Sequence, residues 1–172
     1  MLVAGGVLSA IGAGLIYTLD IGTSSSAWIG FQALIGIGIG LSIQVPIIVS
    51  QAIVSAEDVS SITAILIFFQ TFSGAIFVSV AQTLFANKLK QEVPRLLPGV
   101  EPGLVIATGA TELRKVFTPE QMPAVIQSYM AGLKDAYALA IALACMAAVW
   151  GFAIVAFDRR SLKGKTISAG AV

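Results

Sequence analysis

The residues of this chain that could bind a solute are uncharged amides set inside long apolar stretches. Gln44 and Gln51 lie in one such stretch, and Gln70 lies in the next. An amide in hydrocarbon is costly unless it is hydrogen-bonded, so each side chain must meet another helix or water in a cavity. Two interpretations stay open for these three residues: they line a substrate pathway, or they form structural hydrogen bonds between helices.

The chain lacks the residue types on which most enzymatic and metal chemistry depends. It has no histidine and a single cysteine, Cys145, and it shows no nucleophile–base pair, metal-ligand cluster or phosphate-binding loop. We therefore expect no catalytic residue, no metal and no cofactor, and we predict that the chain is not an enzyme. A net charge of +1 provides no basic surface for nucleic acid.

The composition is that of a protein that resides in a lipid bilayer. Of the 172 residues, 57% are hydrophobic and only 11% are charged, and the mean hydropathy is +0.93. Soluble domains carry about 25% charged residues. We therefore predict an all-α integral membrane protein, with the lipid bilayer as a partner.

Four apolar stretches are long enough to cross a membrane as helices, since a span needs about 20 residues. They cover residues 1–19, 28–54, 62–86 and 136–157, and none contains Asp, Glu, Lys or Arg. Proton-coupled carriers usually keep an ionisable group at membrane depth. By itself, this chain offers no evident proton-coupling residue.

Small residues recur at helical spacing within these stretches and predict close helix packing. Gly36 and Gly40 share one helix face with Gln44 and Gln51. Pro46 interrupts the same helix, which favours either a fixed kink or a bend around a cavity. The residues to which we assign packing or kink roles are Gly36, Gly40, Pro46, Gly74, Ala140 and Ala144.

The long polar segment of residues 87–134 separates the last two predicted spans. Thr118, Pro119 and Gln121 form a helix-start signal, which predicts an amphipathic helix over about 119–134. We expect this helix to lie on the membrane surface or over the bundle. Four Lys and Arg residues in the tail, 158–172, favour a cytoplasmic tail and place the long loop outside.

Four runs of sequence, in this order, resemble the C-terminal end of fungal fourteen-span drug and toxin efflux transporters of the major facilitator superfamily. The runs are GFQALIGIGIGLSIQVPIIVSQ, ITAILIFFQTFSGAIFVSVAQTLFANKL, GATELRKVF and LKDAYALA. The resemblance implies that residues 1–157 form part of the C-terminal bundle of a carrier. It also implies proton-coupled export of small organic molecules by the full-length protein, in the plasma or vacuolar membrane.

Members of this family carry ten further spans before this region, whereas Met1 falls directly inside a predicted span. We therefore expect a piece of a longer carrier that is not competent for transport without the missing N-terminal spans. The alternative is a free-standing four-helix membrane protein that acts through oligomerisation or a partner. The small-residue faces would support that alternative.

Overall fold

The computed structural model describes residues 2–157, which form helices joined by turns and short links. Six helices follow one another along this part of the chain. They are α1 (Leu2–Tyr17), α2 (Ser25–Ile53), α3 (Val59–Leu96), α4 (Pro102–Ala107), α5 (Leu113–Val116) and α6 (Met122–Phe157).

Three of the six helices are long and apolar enough to cross a membrane. These are α2 with 29 residues, α3 with 38 and α6 with 36. The apolar helix α1 has 16 residues, fewer than the about 20 that a span needs. The all-helical membrane fold is confirmed, and the fourth crossing stays a prediction.

Short connections turn the chain back at both ends of α2. In the turn after α1, the Thr23 hydroxyl donates to the Asp20 carbonyl at 2.8 Å and accepts from the Asp20 N–H at 2.9 Å. Gly22 has a φ of +98°, which only glycine adopts without strain. At the other end, the Ser55 hydroxyl donates to the Asp58 carboxylate at 2.7 Å, directly before α3.

The helix α1 lies between α2 and α6, and α3 packs against α6. Glycine allows the backbones of α1 and α2 to come close. A Cβ added at Gly12 would lie 3.0 Å from the Ile35 nitrogen, and one added at Gly38 would lie 2.5 Å from the Ser9 nitrogen. Any larger residue at these two positions would therefore push the helices apart.

Two helix boundaries differ from those predicted. The third span, predicted to end at residue 86, continues as helix to Leu96, because Leu89 and Val93 on its last turns are fully buried. The helix predicted over about 119–134 is not separate, because α6 runs without a break from Met122 into the last span. The start signal is confirmed in part: the Thr118 N–H donates to Gln121 Oε1 at 3.2 Å.

Residues 87–134, here termed the cap, contain the buried apolar cluster of the described chain. Its members come from α3, α4, α5, α6 and the links between them: Leu89, Val93, Leu97, Val105, Leu113, Phe117 and Val125. The cap is therefore a small folded unit with its own core. Lys134 Nζ lies 3.8 Å from Asp20 Oδ1, so the turn after α1 is on the cap side of the molecule. The predicted cytoplasmic tail, 158–172, lies outside the described residues.

Candidate substrate pathway

The helix α2 presents two faces of different character. Gly38 is buried against α1, whereas Gly36, Gly40, Gln44 and Gln51 are all exposed. A Cβ added at Gly36 or Gly40 would have no atom of another helix within 4 Å. From Gly36 to Gln44, the stripe predicted from helical spacing is therefore one continuous face that no described helix covers.

The amide of Gln51 makes a contact between two helices. Its Nε2 donates to Thr63 Oγ1 at 3.0 Å, and the Thr63 hydroxyl donates to the Val59 carbonyl at 2.7 Å. Gln51 lies only two residues before the end of α2, close to the link with α3. This bond is of the kind that the structural interpretation expects, and it ties α2 to α3 at the membrane edge.

The amides of Gln44 and Gln70 lie deeper than that of Gln51. At the helical rise, Gln44 is about 14 Å before the end of α2, and Gln70 is about 16 Å beyond the start of α3. Both distances fall near the middle of a hydrocarbon core about 30 Å thick. Both residues are exposed, and a Cβ on Gly74, one turn after Gln70, would also meet open space.

The alanine ridge of α6 borders a cavity of about 360 Å³ between α1, α2 and α6. Ala140 and Ala144 line this cavity together with Ser9 and Ser42, and most of the other lining side chains are apolar. Further along α6, a Cβ added at Gly6 would lie 3.4 Å from the Ala148 Cα. The small residues of α6 therefore face α1, and at Ala140 and Ala144 they leave space beside it.

Ser42 is a polar residue of this cavity that spacing arguments missed. Its Oγ is buried, lies against Gly5 and has no hydrogen-bond partner among the described residues. Pro46 lacks an N–H, so the Ser42 carbonyl also loses its usual donor within the helix. Pro46, four residues after Ser42, was the sequence feature from which this unpaired carbonyl could have been predicted. Both the hydroxyl and the carbonyl oxygen of Ser42 are thus left able to accept a hydrogen bond, beside a cavity whose lining is mostly apolar.

Charged side chains of the described residues lie in the cap, at Asp135 directly after it, and in the turns. Lys88 pairs with Glu92 at 3.4 Å within α3, and Lys115 of α5 pairs at 3.0 Å with Glu112, the residue before that helix. Residues 2–157 hold no cluster of His, Cys, Asp or Glu that could bind a metal ion. The chemistry available in the spans is therefore hydrogen bonding by uncharged groups.

Long apolar helices, short turns and uncharged spans define a multi-pass membrane protein. The comparisons with known proteins specify its relatives. The chain is 44% identical over 155 residues to the MFS-type transporter thnB of Trichoderma harzianum, covering 90% of this chain and 27% of that protein. It is 51% identical over 137 residues to the MFS acetylaranotin efflux transporter ataA of Aspergillus terreus, covering 80% and 30%.

A third relative, the dehydrocurvularin exporter of Aspergillus terreus, is 40% identical over 161 residues, or 94% of this chain and 28% of that protein. No family model matches the chain, and no solved structure matches it. The resemblance predicted from the residues is confirmed: the chain is homologous to one segment of fungal MFS-type efflux transporters. It spans less than a third of the length of these relatives.

Proposed function

We propose that this chain forms part of the C-terminal bundle of a major facilitator carrier that exports small organic molecules. The observation that carries the proposal is the similarity of 90% of the chain to a transporter, with an efflux pump and an exporter among the other relatives. The apolar stretches of α2, α3 and α6 contain almost no fully buried residue in the described chain. Such surfaces need lipid or further helices against them, as a larger bundle provides.

The helix α1 is proposed to be the fourth crossing of the bundle. It is apolar along its length and carries no charged residue. It packs between α2 and α6, so it shares their environment. With four crossings, the cap and the turn after α1 are on one side, which we propose is the outside, and the α2–α3 link is on the other.

The exposed amides of α2 and α3 are proposed to line the substrate pathway. Gln44 and Gln70 lie at similar distances from the α2–α3 link, measured along their helices. Neither side chain forms a hydrogen bond among those found in residues 2–157. Carriers of this kind bind substrate near the bilayer midplane, between two halves that move against each other. Gln51 already bonds to Thr63, so its role would be at the edge of that pathway.

Energy coupling is proposed to depend on other spans of the carrier. The described spans hold no ionisable group at depth that could bind a transported proton. We therefore expect the 172-residue chain alone not to export a substrate.

A chimera tests the proposal. The segment of the acetylaranotin efflux transporter that aligns with this chain is replaced by residues 1–157, and the chimera is expressed in a fungal strain that lacks the native transporter. We expect acetylaranotin export to return, because the two proteins are 51% identical over 137 residues. The chain expressed alone in the same strain is the matched control.

The amount of chimera in the membrane is measured beside the export. A chimera that reaches the membrane at the native level but exports nothing would contradict the proposal. Export by the 172-residue chain alone would instead favour a free-standing membrane protein.

A further inference from the structure

A second cavity, of about 700 Å³, lies where α3 leaves the apolar region and meets α4 of the cap. Its wall is formed by residues of α3 and one of α4, and we term it the α3–cap pocket. The lining residues are Ser79, Gln82, Thr83, Phe85, Ala86, Asn87, Lys90 and Ile106. The volume is within the range of about 300–1,000 Å³ that is usual for sites of small molecules.

The polar side of this pocket carries one ammonium group and two amides that can donate hydrogen bonds. Lys90 is its only charged lining residue, and no carboxylate of the described residues forms an ion pair with it. Glu92 on the same helix is held by Lys88 at 3.4 Å and Arg95 at 3.7 Å. Gln82 and Asn87 add two amide groups, so an ammonium and amide N–H groups face one space.

The hydroxyls of the pocket are already used as donors. Ser79 donates to the Ala75 carbonyl at 2.9 Å, and Thr83 donates to the Ser79 carbonyl at 2.9 Å. They do not compete for the acceptor atoms of a ligand. An anionic or carbonyl oxygen would therefore find its donors on Lys90, Gln82 and Asn87.

The apolar side of the pocket is held in place by the packing around it. The Phe85 ring meets the Tyr129 ring edge to face, with 4.9 Å between centroids, and it also packs on Gly132. Ile106 follows Val105, which is fully buried in the cap core. The apolar wall is thus in place before a ligand enters, which lowers the entropy lost on binding, whereas the polar side chains of the pocket are exposed.

We propose that the α3–cap pocket binds small organic carboxylates that have an apolar body. The carboxylate would contact Lys90 Nζ and the amides of Gln82 and Asn87, while the apolar body would lie against Phe85 and Ile106. The cavity beside Ala140 and Ala144 has no charged lining residue and offers no such site. Binding here does not require transport, so it is tested separately from the proposed function.

The experiment measures binding of 2-naphthoate to the 172-residue chain in phosphatidylcholine nanodiscs by equilibrium dialysis, with empty discs as the blank. We expect saturable binding that Lys90→Gln weakens about tenfold, as the loss of one charge-assisted contact implies. The matched control is Lys115→Gln, which removes the same charge elsewhere in the cap and should change the affinity less than about twofold, because Lys115 does not line the pocket.

Three further measurements test whether binding depends on the charge of the ligand, on this pocket and on the lipid headgroups. The neutral analogue 2-naphthamide should bind about tenfold more weakly than 2-naphthoate, because it lacks the charge. Ile106→Glu should weaken binding about tenfold, because it places a second carboxylate against that of the ligand, while the cap core stays protected in hydrogen exchange. Phosphatidylserine in the discs should leave binding unchanged if the site takes soluble carboxylates.

Three results would overturn the proposal. The first is equal binding by Lys90→Gln and the unaltered chain. The second is uptake no greater than that of empty discs. The third is displacement of 2-naphthoate by phosphatidylserine, which would assign the pocket to a lipid headgroup. A failure of the efflux chimera would leave each of these results unaffected.

Discussion

Polar side chains inside the spans obtain their hydrogen-bond partners in two different ways. The hydroxyls of Thr63, Ser79 and Thr83 donate to the carbonyl one turn earlier, at 2.7–2.9 Å, and so need no neighbour. A glutamine amide reaches further and needs a partner outside its own helix, as Gln51 shows with Thr63. Gln44 therefore needs water, a solute or another span, and spacing alone could not predict which of them it meets.

The bond between Gln51 and Thr63 predicts a measurable coupling between these residues. In a double-mutant cycle of Gln51→Leu and Thr63→Val, we expect a coupling free energy of about 0.6 kcal/mol, as for other interhelical hydrogen bonds in membranes. The free energy of unfolding in mixed micelles provides the measurement. Thr83→Val is the control, because the Thr83 hydroxyl bonds only its own helix, and its cycle with Gln51→Leu should show no coupling. Additive effects of the first pair would contradict the structure.

The glycines of α2 show what a sequence pattern can and cannot predict about the packing of one helix. In the run IGIGIG, alternate glycines point to nearly opposite sides of the helix, so the pattern predicts close packing without specifying the face. Helical spacing singled out Gly36 and Gly40 because they align with the glutamines, but α1 packs on Gly38. The packing partner decides between the two faces, and it is not encoded in the spacing.

Replacing Gly38 by alanine should destabilise the contact between α1 and α2. The added Cβ would lie 2.5 Å from the Ser9 nitrogen, so the helices must separate, at an expected cost of about 1–3 kcal/mol. Gly40→Ala is the control: its Cβ meets open space, and alanine favours the helix. Thermal unfolding in detergent compares the two variants. Equal melting temperatures would show that the backbones are not in close contact.

The cap could not be predicted as a folded unit from its sequence. Helix-start signals correctly indicated the region around Thr118, but the rest of residues 87–134 was predicted only as a long external loop. The apolar residues that form the core are isolated in sequence, and tertiary contacts bring them together. The same contacts extend α3 beyond the predicted end of its span.

Removing a buried leucine from the cap should loosen it without disturbing the spans. Leu89 is 0% exposed, and we expect Leu89→Ala to cost about 2–5 kcal/mol of local stability. Leu104→Ala removes the same atoms from a side chain that is 47% exposed, and it should cost far less. Hydrogen exchange within residues 87–134 provides the measurement. Similar protection in both variants would argue against a packed cap.

For the whole molecule, composition alone predicts the class of protein, because 11% charged residues cannot cover a soluble globule. The described spans nevertheless bury little surface against one another, and α3 exposes a cluster formed by Phe68, Phe69 and Phe72. The relatives are more than three times as long as the segment matched here. What covers these surfaces therefore depends on the larger bundle that we propose.

Labelling of a cysteine at position 44 tests most directly whether the exposed amide face of α2 lines a water-filled pathway. The chimera with the acetylaranotin efflux transporter is made without other cysteines, Cys145 included, and then carries either Gln44→Cys or Val49→Cys. Val49 is also exposed but lies about 140° around the helix from Gln44. A charged methanethiosulfonate is then added to intact cells.

A thiol reacts as the thiolate, which needs water around it. We predict that the cysteine at position 44 is modified about tenfold faster than the cysteine at position 49, because only the first faces the pathway. Equal rates, or inertness at both positions in a chimera that still exports acetylaranotin, would contradict the account.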